Sequence, residues 1–272
     1  MKATVVLDAN TWQIDLGAPI DIAIPLDFYG RQPSAFHLPA ARALAFEAAS
    51  FVGDVRRGGS ANCESVWLNP HGNGTHTECV GHIAHERHSV NEALDEALVP
   101  ALLVTVAPES LAASGESYEG PNEPVDRVIT RRALTAAVAK LAPAPALLAA
   151  LIVRTLPNLE SKRRANYSGH NPTFLTNEAM AWIREAGVRH LLVDLPSVDR
   201  EQDAGALINH RIFWDFQPEG GLAKARRSAT ITEMIYVPDA VLDGAFMLNI
   251  QIPSFVLDAA PSRPLLFAMR PQ

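Results

Sequence analysis

Cysteine is almost missing from this chain: two in 272 residues, Cys63 and Cys79. Two thiols cannot build a disulfide framework, so stability has to come from a packed core. Aromatic residues make up only 7% and charged residues 19%, yet 48% are hydrophobic, which marks a globular rather than a disordered chain. A basic excess is absent too. Lys and Arg number 23 against 30 Asp and Glu, a net charge of −7, which argues against nucleic acid or an anionic membrane as the main partner. No apolar run reaches the roughly 18 residues of a membrane span. "ALLAALIVRTL" is too short and ends near Arg154. The opening "MKATVVLDANTWQIDLG" has neither a continuous apolar stretch nor a small-residue cleavage site, so no signal peptide is expected and the cytoplasm is the expected location. There is no Walker or dinucleotide-binding glycine pattern and no G-x-S-x-G elbow, which excludes the usual nucleotide sites and argues against a serine-hydrolase route.

Short β-like runs recur at Ile22–Pro25, Ser65–Leu68, Leu102–Val106, Leu148–Arg154, His190–Asp194, Thr230–Ile235 and Ala245–Ile252. "LTNEAMAWIREAG" (175–187) is the clearest helix: Thr176 can cap it, Glu178 suits its first turn and Gly187 its left-handed exit. A second helical run covers 130–142. Strands and a few helices without regular alternation predict an α/β or α+β fold with a mixed sheet rather than a strict doubly wound one, α/β being the first choice. The Gly-, Ser-, Pro- and Glu-rich segment 109–127 reads as a surface loop. Neither flank of it holds enough core to stand alone, so residues 1–272 are expected to form a single domain.

Against this background one stretch stands out. "HGNGTHTECVGHIAHERH" (71–88) holds five of the nine histidines. His76 and Glu78 are two apart, so in an extended segment their side chains point to the same face. His71 lies upstream across a glycine-bearing turn and His82 lies beyond Gly81. Imidazole and carboxylate converging on one point are what a divalent cation needs. A solvated histidine-rich loop is the competing reading. Cys79 alternates with Glu78, so it should face away and be an inert buried thiol. His85 and His88 read as structural, at an exposed helix start. His190 reads as a packed core histidine. His37 and His170 fall in proline-containing loops.

"HGNGTHTECVGH" resembles the H-x-G-T-H-x-D-x-P-x-H signature of the metal-dependent cyclase-like hydrolases, the group that includes bacterial kynurenine formamidase (an arylformamidase) and isatin hydrolase. "IDIAIPL", "ALIVRT", "LTNEAMAWIREAGVRHLLVDLPSVD", "NHRIFWD", "ATITEMI" and "DGAFMLNIQIPSFVLDAAPSRPLLFA" resemble further family segments in the right order, from about residue 20 to 268. The resemblance implies a cyclase-like swivelling β/β/α fold. It implies metal ligation by His71, His76, Glu78, His210 and Glu233, and proton transfer by His82. It implies one or two divalent ions, zinc first and manganese second, serving hydrolysis of an amide or lactone in a small, aromatic or cyclic substrate. It also implies a homodimer or larger homo-oligomer, aromatic pocket walls from Phe28, Tyr29 and Phe36, and an architectural role for Asp194, Ser197 and Asp199. Two departures stand out: His71 lies five residues before His76 where the family has four, and Glu78 stands where the family has Asp. They favour the alternative that the chain has lost catalysis and binds a metal or ligand.

Overall fold

The computed structural model describes residues 1–272. Its main sheet has 11 strands. In chain order they are β1 (Lys2–Leu7), β2 (Asn10–Asp15), β3 (Ile20–Asp21), β4 (His76–Cys79), β5 (Val99–Val106), β6 (Ala150–Thr155), β7 (His190–Val193), β8 (Thr230–Glu233), β9 (Gly244–Gln251), β10 (Ala259–Pro261) and β11 (Arg263–Pro271). In space they run β1-β2-β11-β9-β5-β6-β7-β8-β4-β10, with β3 alongside β11. The centre, β5 to β8, is parallel. Both flanks are antiparallel. The sheet is therefore mixed.

A parallel centre must be covered on both faces, which is why "ALIVRT" shows no polar alternation: every residue of β6 is buried. Alternate side chains feed two cores. Leu102, Val104, Leu151, Val153, Leu191 and Val193 point to one face. Leu103, Ile152, Leu192, Phe246 and Leu248 point to the other. Burying one such side chain contributes about 1.5–3 kcal/mol.

Five helices accompany the sheet: α1 (Val90–Ala93), α2 (Leu111–Ser114), α3 (Arg131–Leu141), α4 (Asn177–Glu185) and α5 (Ile208–Trp214). α3, α4 and α5 cover the first face with Leu134 and Val138, with Ala179, Met180 and Ile183, and with Phe213 and Trp214. α4 follows its sequence signals. Thr176 Oγ1 accepts the Ala179 N–H at 3.1 Å, and Gly187 takes φ +83° beyond the last turn. No helix is long and apolar enough to cross a membrane.

Three expectations need correction. Strand pairing occurs at Ile20–Asp21 rather than Ile22–Pro25. The Ile24 N–H instead donates to Thr75 Oγ1 at 2.9 Å, which draws the segment across toward residue 75. Segment 109–127 is more than a surface loop: Glu109–Ser110 pairs with Arg127–Ile129, and Tyr118 and Asp126 are buried. His88 is not exposed. It is buried, its Nε2 lies 3.0 Å from the Arg227 carbonyl, and the helix starts only after Ser89, which caps it.

Cys79 faces away from Glu78 as expected, packed with Val90, Ala93 and Ala260. Burial pushes its thiol up to about 12. Cys63 is exposed. A thiol reagent at neutral pH should therefore titrate one equivalent in the folded protein and a second only in denaturant. Two fast equivalents in the folded state would contradict this packing.

Candidate metal centre

β4 and β8 are neighbours near one edge of the sheet, paired antiparallel with Glu233 opposite His76 and Ile231 opposite Glu78. Strand alternation then places His76, Glu78 and Glu233 on the helix-covered face and Thr77 and Cys79 on the other. β8 stops at Glu233 because Met234 turns into the left-handed region, φ +52°, with its N–H donating to the Leu195 carbonyl at 2.9 Å. The Val198 N–H donates to Glu233 Oε1 at 3.0 Å, which fixes that carboxylate.

α5 brings His210 over the same face. Its first residues follow Leu207, which is left-handed at φ +47° and offers no capping side chain. Asp199 does that work: its two oxygens accept the Asn209 and His210 N–H groups at 2.8 and 3.1 Å. Tyr118 donates its hydroxyl to the same carboxylate at 2.8 Å. Upstream of β4, Gly74 at φ +101° lets the chain double back and return His71 to Glu78.

The polar atoms converge closely. Glu78 Oε2 lies 2.9 Å from His71 Nδ1 and 4.0 Å from His82 Nε2, and Oε1 lies 3.0 Å from His210 Nε2. Glu233 Oε2 lies 3.4 Å from His76 Nε2, and its Oε1 lies 3.9 Å from His210 Nε2. All six residues expected from the sequence are thus brought together. Between His71 and His76 the chain turns on the Asn69 carbonyl, which accepts the Gly72 and Asn73 N–H groups at 3.2 and 3.0 Å, and the Glu78 carboxylate lies between His71 and His210.

Each ring has its far nitrogen beside an acceptor. His76 Nδ1 is 3.0 Å from the Gly74 carbonyl, His210 Nδ1 is 2.6 Å from Asp199 Oδ2, and His71 Nε2 is 2.9 Å from Asp258 Oδ2. With an ion bound, protons on those nitrogens would leave the near lone pairs facing inward. His76 Nε2 and Glu78 Oε1 are buried and make no well-directed hydrogen bond. Buried polar atoms left so are costly, and a divalent cation would satisfy them. The ligand atoms of His71, His76 and Glu78 lie within 4.8 Å of one another, as do those of Glu78, His82 and His210, so the residues fit one or two such ions.

Without an ion the charges compensate one another. Burial disfavours the charged Glu78, but His82, His210 and His71 outweigh it and hold its carboxyl well below the usual range. Burial likewise opposes charge on His71, yet hydrogen bonds to Asp258 and Glu78 raise it to about 10. His210 is raised against its own burial by Glu78 and Asp199.

Some of the surroundings were not legible in the sequence. Asp258, immediately before β10, touches both His71 and His82, at 2.9 and 3.4 Å. It lies among the closing strands, and no local pattern marks it. Asp199 reaches the site through His210 rather than serving architecture alone, and its spacing of 11 from that residue gives no helical or strand signal. A cavity of about 300 Å³ opens over the cluster, with Phe36, Leu38, Asn69, Arg200 and Leu207 among its walls. Of the three expected aromatic walls only Phe36 is there. Tyr29 is exposed and donates its hydroxyl to Glu64, because the turn at Asp27–Gly30 carries it outward.

A family model described as "Putative cyclase" matches residues 14–200. No curated protein matches the chain. Isatin hydrolase A from Labrenzia aggregata, solved with benzyl benzoate, is 17% identical with a TM-score of 0.61, covering 93% of this chain and 94% of its own. Isatin hydrolase A from Ralstonia solanacearum is 16% identical with a TM-score of 0.60, covering 92% of each chain. A predicted metal-dependent hydrolase from Bacillus stearothermophilus is 16% identical with a TM-score of 0.57, covering 92% of this chain and 98% of its own. At such identities the structural likeness speaks for the fold. The matched span contains the whole histidine-rich segment, the parallel centre up to β7 and the loop that holds Asp199. The chain belongs to the cyclase family.

Proposed function

We propose that the protein is a metal-dependent hydrolase that opens an amide or lactone bond in a small uncharged substrate. In this reading His71, His76, Glu78, His210 and Glu233 hold one or two divalent ions, zinc or manganese, and His82 moves the proton. The observation that carries it is the inward convergence of buried imidazole nitrogens and carboxylate oxygens, two of which make no well-directed hydrogen bond. A bound divalent ion would supply Lewis-acid polarisation of a carbonyl and make an attacking water more acidic.

The chain supplies the rest. His82 Nε2 lies 4.0 Å from Glu78 Oε2, on the floor of the cavity, within reach of a proton released there. Its other nitrogen faces Asp258, so the ring can take a proton at Nε2 and return it to the leaving nitrogen or oxygen. Phe36, Leu38 and Leu207 give the cavity an apolar side. Arg200 also lines it, but its Nε donates to Asp126 at 2.9 Å and its Nη1 to the Gln202 carbonyl at 3.0 Å. Glu201 and Asp203 add negative charge to the walls. Such a lining disfavours a substrate carboxylate and favours neutral amides, cyclic imides and lactones. The isatin hydrolases among the structural relatives give isatin a place in the first screen.

The test is elemental analysis of protein purified without chelator, followed by hydrolysis assays on isatin, N-formyl aromatic amides and small lactones. One or two equivalents of zinc or manganese with turnover of at least one of these classes is expected. No bound metal, and none taken up on titration, would overturn the proposal and leave a ligand-binding protein.

A further inference from the structure

Asp258 lies in the family-like segment 243–268, to which the sequence assigned no site role, yet it sits against two rings of the histidine-rich motif. Its position is set by backbone. The Ala259–Pro261 strand pairs with β4, Ala259 opposite Glu78, and the Asp258 carbonyl accepts the Cys79 N–H at 3.0 Å. Gly81, in the turn that carries His82, makes room for it: a Cβ there would lie 3.3 Å from the Asp258 Cβ and 2.0 Å from the His88 carbonyl oxygen. One oxygen, Oδ2, then lies 2.9 Å from His71 Nε2 and 3.4 Å from His82 Nδ1. The two rings stack at 4.1 Å between centroids with 29° between planes, so both edges meet the same carboxylate.

We infer that Asp258 is a positioning residue that sets the tautomer of His71 and His82 together. A carboxylate can only accept, so each facing nitrogen carries a proton. In ion-free protein His71 Nδ1 also carries a proton, facing the Glu78 carboxylate at 2.9 Å. An ion replacing that proton would find Nδ1 as its lone pair, because Asp258 keeps the other proton on Nε2, and His82 keeps Nε2 bare. The same oxygen thereby makes one ring a ligand and the other a proton acceptor. The part concerning the ion rests on the hydrolase reading above. The part concerning the tautomers does not.

The side chain is separable from the fold. It is partly exposed, and the bond to Cys79 uses the Asp258 backbone, so Asp258→Ala keeps the strand pairing. The experiment is long-range proton–nitrogen correlation on 15N-histidine-labelled protein, with and without zinc, signals being assigned by His71→Gln and His82→Gln. In the wild type, His82 is expected with its proton on Nδ1 and a bare Nε2, and in Asp258→Ala that preference is lost. Zinc affinity, read by chelator competition, is expected to fall about tenfold or more in Asp258→Ala, the usual cost of removing an outer partner of a ligand. A wild-type His82 with a bare Nδ1 overturns the inference whatever the variant does. So does a folded Asp258→Ala with unchanged tautomers. A wild type that binds no zinc but shows the expected tautomers would sink the hydrolase reading and leave the role of Asp258 standing.

Discussion

Glu78→Gln, made in the full chain, is expected to abolish both stoichiometric metal and turnover. The carboxylate is buried and lies 2.9 Å from His71 on one side and 3.0 Å from His210 on the other. An amide of the same shape can no longer offset an ion's charge. Loss of the ion removes several kcal/mol of transition-state stabilisation, on the order of 10³-fold in rate. His210→Ala should lose metal in parallel, although it lies on α5 and not on the histidine-rich strand. Elemental analysis of both variants checks this. Retention of metal in either would show that the two ends of the chain do not share one site.

The same substitution has a signature in ion-free protein. Burial pushes the Glu78 carboxyl up, but the charges of His82 and His210 dominate and hold it below its ordinary 4.5. A depressed carboxyl contributes stability that is present above pH 4.5 and lost as pH falls through the folded value. Chelator-treated Glu78→Gln should therefore be less stable at neutral pH, by about 3–5 kcal/mol as for a broken buried ion pair. Its stability should also fall less steeply on acidification. Urea unfolding between neutral and acid pH reads both.

The second large effect is His82→Gln. Metal is expected to stay while kcat falls about 10²–10⁴-fold, the usual worth of a positioned acid–base group. KM should change far less, because the substitution leaves the apolar cavity walls in place. The metal measurement is decisive here. The ligand atoms of Glu78, His82 and His210 lie within 4.8 Å of one another, so His82 is placed for ligation as well as for proton transfer. Loss of metal in His82→Gln would assign it to the ion and leave the proton without this carrier.

How much of this could be read from residues alone depended on sequence distance. The strand bearing His76 and Glu78 was legible because a two-residue spacing fixes a shared face. α4 was legible because Thr176, Glu178 and Gly187 are local signals. The central strands were legible as β-like runs such as Leu148–Arg154 and His190–Asp194, but their parallel pairing was not. His210 and Glu233 came from family resemblance only, since no local pattern distinguishes them. Asp199 and Asp258 show the limit. Asp199 acts through a helix start whose own residue, Leu207, lacks a cap. Asp258 arrives through the pairing of β10 with β4, a contact spanning 187 residues from His71. Strand pairing of that range leaves no mark on either segment. Tyr29 failed as a pocket wall for a related reason: an aromatic beside a turn can point either way, and the turn at Asp27–Gly30 decides.

The edge placement of β4 between β8 and β10 has a consequence for biosynthesis. A nascent chain of about 200 residues would carry His71, His76, Glu78 and His82 but neither of the strands that flank them in the finished sheet. Pairings this remote in sequence close late, after the local helices and the parallel centre. The half-built cluster would hold four of its six members, without His210 and Glu233. If the centre holds an ion as proposed, its capture would be coupled to the arrival of β8 and β10, and a tightly held ion would report that the last third of the chain has docked.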